Sequence, residues 1–184
     1  IPQRALVDAA QWYLQLDNLK PEMVLESRLD TAPATEPTSS TAFIDQLAAG
    51  TATPGGGAAA AFAGGMAAAL VAMVARLTIN KRKYADVKTR LLAVLERAEA
   101  LRAVLTAGVA EDSAAFTEVM AAYALPRDTP EQVEAFTAAL LMAYRVATEA
   151  PLRAARAAAE VAGLARTVAE LGNVNALSDA ASGA

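Results

Sequence analysis

From Gln46 to Ala75 the chain carries no charged residue, and the stretch from Ala58 to Ala75 is built mostly from Ala, Gly, Val, Met and Leu. A segment this apolar, with so small a surface, has few options. It is a helix packed closely by other helices, or it spans a membrane. It is entered through Thr51-Ala-Thr-Pro-Gly-Gly-Gly57, and six of the ten glycines fall between Gly50 and Gly65. Pro54 suits the entry to a helix and cannot continue one, and the glycines allow backbone conformations closed to other residues. A helix starting here presents N–H groups without helical acceptors and the positive end of its dipole, which together suit an anion. The plainer reading is a tight turn into a core helix. The basic flank, Arg76 and Lys81-Arg-Lys83, resembles that of a membrane span. The Gly-rich interruption, the excess of Ala over Leu and the amphipathic helices elsewhere favour a buried core helix and no membrane.

The remaining residues fit a helical fold. A length of 184 suggests one domain with an appendage. Apolar residues make up 55% and aromatics only 5%, so the core is mostly Ala, Leu and Val. Proline is confined to apparent boundaries, and no alternating β-branched run is long enough for a sheet. The expected class is all-α, an antiparallel bundle of long helices that dimerises. A net charge of −4 argues against nucleic acid as the main partner. The chain has no Cys and no His, which rules out disulfides, thiolate catalysis, a His base and the usual Zn sites. Proton transfer then falls to Asp, Glu, Lys or Tyr, and no cofactor or metal is expected. No signal peptide is evident and a cytoplasmic location is expected; the start, Ile-Pro without Met, reads as the middle of a longer chain.

Ile1 to Leu16 reads as a helix with Leu6, Ala10, Tyr13 and Leu14 on one side, and Pro21 opens a second to about Leu29. Residues 30–40, polar and carrying two prolines, read as a linker and the best domain boundary. Thr41 to Ala49 is a short helix with Phe43, Ile44 and Leu47 inward, stopped by Gly50. The central helix runs to about Asn80. Ala85 to Leu125 has no proline and one glycine, Gly108, so one long helix is expected. Thr129 caps the next helix, with Pro130 at its first position and Gln132 placed for a capping box. That helix carries Val133, Phe136, Leu140 and Tyr144, and Pro151 is expected to kink or break it. A last helix, Leu152 to Leu171, stops at Gly172. Ser178 would cap a further helix, whose body is missing, so the chain reads as truncated at its C-terminus.

One carboxylate stands out. Along the long helix an apolar stripe reads Leu91, Val94, Ala98, Leu101, Leu105, Gly108, Asp112, Ala115, Val119, Tyr123. Asp112 is its only charge. A carboxylate in an apolar seam needs a partner, and burial would make it a better base near neutrality. Gly108 leaves room one turn before it. The plainer reading is a structural Asp paired with an Arg from another helix, and the pattern does not choose between them. Glu111 lies off the stripe. Lys81, Arg82 and Lys83, with Arg76 one turn back, form either a solvated connector or a seat for an anionic substrate. Asn173, Asn175, Ser178 and Asp179 form a cap and turn, or a set of polar groups able to grip a polar heterocycle. Glu96 and Glu99 beside Arg97 and Arg102 read as a solvated face.

Phe43-Ile-Asp-Gln-Leu-Ala, Thr53-Pro-Gly-Gly-Gly57, Met73-Val-Ala-Arg-Leu-Thr78 with Lys81 to Tyr84, Val109 to Phe116, Leu125 to Glu131, Pro151-Leu152 and Gly172 to Asp179 together resemble the formimidoyltetrahydrofolate cyclodeaminase and methenyltetrahydrofolate cyclohydrolase family. The likeness covers residues 41–184, and Ile1 to Leu29 resembles the tail of a glutamate formiminotransferase domain. The resemblance implies an all-helical domain forming a homodimer, or a ring of dimers when fused to the transferase. It implies a tetrahydrofolate substrate, commonly polyglutamylated, in histidine degradation and one-carbon metabolism. It places the catalytic aspartate at Asp112, with Pro54, Gly55, Gly56, Gly57, Lys81, Lys83, Asn173, Asn175, Ser178 and Asp179 as substrate-binding candidates. Three functions follow as expectations: cyclodeaminase first, cyclohydrolase second, and third a helical dimerisation module without activity.

Overall fold

The computed structural model describes residues 12, 13 and 39–184. Trp12 and Tyr13 are helical and exposed. Apart from these two residues, the two helices expected before residue 30, and residues 30–38 of the expected linker, lie outside the described residues; Ser39 and Ser40, read as its end, already belong to a helix. Among the described residues there is no strand, and the α-helices are α1 (Ser39–Ala48), α2 (Gly56–Ile79), α3 (Lys88–Tyr123), α4 (Pro130–Leu171) and α5 (Leu177–Ser182). Short 3-10 turns lie at Arg82–Tyr84 and Val174–Ala176. The chain divides into two compact units at Ile44/Asp45, and the second holds everything from α2 onward.

Contacts between helices fix their directions. Ala58 meets Asp112 and Arg76 meets Glu99, so α2 and α3 run antiparallel. Arg97 meets Glu160 and Glu111 meets Arg153, so α3 and α4 do the same. Thr78 meets Asn173, which places the ends of α2 and α4 side by side. At about 1.5 Å per residue the 24 residues of α2 measure about 36 Å. The 36 residues of α3 and the 42 of α4 measure about 54 and 63 Å. Both therefore outrun the start of α2, and beyond Asp112 they continue as a two-helix arm.

The main core joins α2, α3, α4 and α5 through Val71, Val74, Leu91, Leu101, Leu105, Val161 and Val168, with alanines between them. Small residues let the helices close in: a Cβ added at Gly64 would stand 3.1 Å from Leu105 Cδ2. Leu105 is fully buried, and truncating such a leucine to alanine removes about 2–5 kcal/mol. The arm has its own small cluster, Val119, Ala122 and Ala143.

The stripe on α3 is buried at Leu91, Val94, Ala98, Leu101, Leu105, Ala115 and Val119, as its spacing predicts. At its far end Ala122 is buried and Tyr123 is exposed, because among the described residues the arm's buried cluster is shared by α3 and α4 alone. The capping box forms: Gln132 N donates to Thr129 Oγ1, and Thr129 N to Gln132 Oε1, each at 3.3 Å. Gly50 has φ +73°, the conformation that stops α1.

Several expectations are corrected. Ile44 (57% exposed) and Leu47 (37%) are not turned inward; only Phe43 is half-buried. The long helix starts at Lys88 rather than Ala85, because Tyr84 and Ala85 close a 3-10 turn instead. Pro151 neither breaks nor ends a helix: α4 is continuous through it. Pro151 is exposed, so the ladder bond it cannot make is lost at the surface, while Ala150 and Ala154 stay packed on the inner face. Ser178 is not a cap; it is the second residue of α5, whose N-cap is Ala176. α2 is long and apolar enough to cross a membrane, and half of that apolar window is buried in the bundle. Its outer face leaves Met66, Met73 and Leu77 exposed at helical spacing, so its neighbours cover one side of it.

Candidate active site

The first turn of α2 and the middle of α3 meet at one point. α2 begins at Gly56 with Gly55 as N-cap, and its first helical bond is Ala59 N to Gly55 O. The N–H groups before Ala59 have no acceptor within the helix. Ala58 N finds one elsewhere: it donates to Asp112 Oδ2 at 2.8 Å. The lone charge of the α3 stripe is thus matched to an orphan donor and to the positive end of a helix dipole. Asp112 is half-buried, less enclosed than its place on the stripe suggests, because α2 ends beside it. Its partner is a backbone N–H, not the arginine of the plainer reading. Arg153, the arginine at this level of α4, pairs with Glu111 at 3.0 Å. Glu111, off the stripe, is exposed and holds this pair at the surface.

The three glycines of the turn are not equivalent. A Cβ added at Gly55 or Gly56 meets nothing within 4 Å. At Gly57 it would stand 2.6 Å from Asp112 Cγ, 2.8 Å from Oδ2 and closer still to Oδ1. Gly108 is looser, since its added Cβ would touch Ala61 Cβ at an ordinary 3.5 Å. Pro54 lies two residues before the helix, half-buried, and follows a cis Thr53–Pro54 bond.

The remaining candidates lie elsewhere. Lys81 and Lys83 are exposed in the connector after α2, at the opposite end of that helix from Gly57. Arg76 does not join them; it pairs with Glu99 at 2.8 Å. Glu99 also binds Arg102, whose hydrogen bond holds its carboxyl below the usual range. Arg97 reaches Glu160 on α4 through bonds of 2.5 and 2.7 Å. The face read as solvated is largely exposed, and its arginines pair both within α3 (Arg102–Glu99) and across to α4 (Arg97–Glu160). Asn173 is buried, donates its backbone N–H to Thr78 Oγ1 at 2.8 Å and accepts from Asn175 N at 3.3 Å. It closes a turn next to Tyr84, whose hydroxyl takes the Val174 N–H. Asn175 and Ser178 are exposed and Asp179 is half-buried. The structure therefore gathers Asp112 with Gly57 and the Gly-rich turn at one end of α2, and Lys81, Lys83, Asn173 and Asn175 at the other. What the sequence reading missed is the pairing of Asp112 with Ala58, for which the signal was one unpartnered carboxylate and one helix start lacking a side-chain cap.

The sequence profile of the formiminotransferase-cyclodeaminase family matches residues 39–184. The chain belongs to this family. Among its relatives in the formiminotransferase-cyclodeaminase family, a methenyltetrahydrofolate cyclohydrolase of Methylorubrum extorquens is 50% identical over 138 residues, covering 75% of this chain and 66% of that protein. A formimidoyltransferase-cyclodeaminase of Rattus norvegicus is 30% identical over 207 residues, covering 97% of this chain and 38% of that protein. The chain thus spans less than two thirds of the length of either relative. The crystal structure of a formiminotetrahydrofolate cyclodeaminase from Thermotoga maritima superposes with a TM-score of 0.65 and 33% identity, over 77% of this chain and 66% of that one. The helical fold is therefore that of the family.

Proposed function

We propose that this chain carries a folate-converting site in which Asp112 transfers protons, and that the reaction is the cyclodeaminase one. The observation that carries the reading is the placement of Asp112: a half-buried carboxylate on an otherwise apolar stripe, with one oxygen held by Ala58 N–H. In 5-formimidoyltetrahydrofolate the formimino group is a strongly basic amidine, protonated as –CH=NH2+; N10 attacks its carbon, a five-membered ring closes and the nitrogen becomes an NH2 group. N10 gives up its proton to the carboxylate. The bond from that carbon to the departing nitrogen breaks, the carboxylic acid returns the proton to that nitrogen, and ammonia leaves. The product is 5,10-methenyltetrahydrofolate. One carboxylate serves as base and then acid. The reaction is intramolecular, so holding the folate in the reactive conformer supplies much of the rate. The Gly-rich turn is the proposed floor of the folate site.

A second reading has its own support, the 50% identity with a cyclohydrolase. There water adds to the methenyl carbon, Asp112 takes the water's proton, and the ring opens. The match to the rat protein across 97% of this chain favours the cyclodeaminase. The full-length protein, supplied with each folate in turn, separates them: ammonia release from formimidoyl-folate supports the first reading, and hydrolysis of methenyl-folate alone the second.

The proposed partners are a second copy of the chain and a fused transferase domain. Support for the homodimer is the row Met66, Met73 and Leu77 on the uncovered face of α2. Lys81 and Lys83 are the proposed attractor for the glutamate tail of a polyglutamylated folate, reached by a tail that runs along α2 rather than by the reacting ring. The proposed location is the cytoplasm.

A further inference from the structure

We infer that Gly57 is the positioning residue for Asp112: its missing side chain is the space the carboxylate occupies. The inference rests on the reading of Asp112 as the proton-transfer group, but the contact itself does not. Both carboxylate oxygens and Cγ of Asp112 fall within 2.8 Å of where a Cβ at residue 57 would stand. All three atoms belong to the end of the Asp112 side chain, so that side chain is what must move. The main chain of residue 112 is held by the packing of Ala115 in the same helix and of Leu105 two turns back, both buried. The carboxylate has two torsions with which to escape. Either escape takes Oδ2 away from the Ala58 N–H that it accepts at 2.8 Å.

The selectivity among glycines argues for this role over a general need for chain flexibility. Gly57 lies within α2 and does not have a positive φ. An alanine would suit its backbone and favour the helix. The three atoms nearest to its Cβ all belong to the carboxylate. Gly55, Gly56 and Gly108 have no such neighbour. Displacing a base by about 1 Å reduces turnover by about a hundredfold. The folate itself need not bind less well, because the added methyl lies under the carboxylate.

The test uses Gly57→Ala, Asp112→Ala and the double variant in the full-length protein, with 5-formimidoyltetrahydrofolate as substrate. Gly57→Ala is expected to lower kcat by about 10- to 100-fold and leave KM within about twofold. A purely structural role would not split the two constants. Amide exchange of Ala58 gives a readout free of activity: the N–H that Asp112 protects should exchange in Gly57→Ala as fast as in Asp112→Ala. In the Asp112→Ala background, adding Gly57→Ala should leave Ala58 exchange unchanged and should not lower Tm, since the opposing atoms are gone and alanine favours the helix. Native kcat in Gly57→Ala, or unchanged protection of Ala58, overturns the inference. If Gly57→Ala alone does not fold, a folded double variant upholds it and an unfolded one overturns it. A native rate in Asp112→Asn overturns the base reading instead, and Ala58 exchange still decides the contact.

Discussion

Ala58 and Asp112 lie 54 residues apart and are joined by one hydrogen bond of 2.8 Å, from the third N–H of a helix to a carboxylate in the middle of another. The bond gives Asp112 two separable properties, an acceptor oxygen and a titratable charge. Asp112→Asn keeps the first and removes the second. The variant is expected to retain its helical content, with folate affinity roughly preserved. Turnover should fall by about a hundredfold or more, the usual worth of a positioned base. Single-turnover kinetics beside circular dichroism check both halves. Asp112→Ala should in addition lower stability by about 0.5–2 kcal/mol, as loss of a helix cap does.

The outer face of α2 offers Met66 (52% exposed), Met73 (37%) and Leu77 (47%) in one row. A symmetric dimer would bury this row against itself. Sedimentation should show a dimer at micromolar concentration, and Met73→Glu with Leu77→Glu should yield a folded monomer. A native protein that sediments as a monomer there would remove the dimer.

Replacing Lys81 and Lys83 with Ala should leave kcat for a monoglutamyl folate unchanged, since the cluster is the length of α2 away from Asp112. Binding of polyglutamyl folates should weaken, and most for tails long enough to follow the helix. The difference should shrink in high salt, because exposed charges are screened. Equal affinity of all tail lengths for native protein and variant would take the cluster out of the site.

Acid should loosen the bundle in a defined window. The Arg97 hydrogen bond holds the Glu160 carboxyl below its usual range, and that of Arg102 does so for Glu99. Folded-state values below the unfolded one, about 4.3 for Glu, mean that these pairs contribute fully above that pH. Their contribution is lost as pH falls through the folded-state values. Both pairs are exposed enough that the effect is modest. Tm should be flat from about pH 7 to 5 and fall below about pH 4, with a shallower fall in Glu160→Gln.

Local chemistry was legible in the sequence and distant chemistry was not. The Thr129–Gln132 box and the buried run from Leu91 to Val119 follow from spacing alone, because each partner lies within a few turns of the other. The same spacing singled out Asp112 as the exceptional residue. It could not supply Ala58, because nothing in a pattern on α3 says which end of which helix will face it. Pro151 shows the opposite failure. A local rule predicts a break, and tertiary packing on Ala150 and Ala154 overrides it because the lost hydrogen bond lies at the surface. Asn173 and Lys81 looked like members of one site with Gly57, since sequence motifs carry no distances; about 36 Å of helix lies between them.

The unequal lengths of α2, α3 and α4 grade the molecule along its axis. Below Asp112 four helices, α2 to α5, share a continuous core; above it two helices share a cluster of three buried residues. Regions with few buried contacts open at lower free energy than the body they join. The arm is thus the part that breathes, and Asp112 stands at the seam, with its carboxylate tied by Ala58 to the rigid side. A base tethered in this way keeps its position through motions that carry the far ends of its own helix.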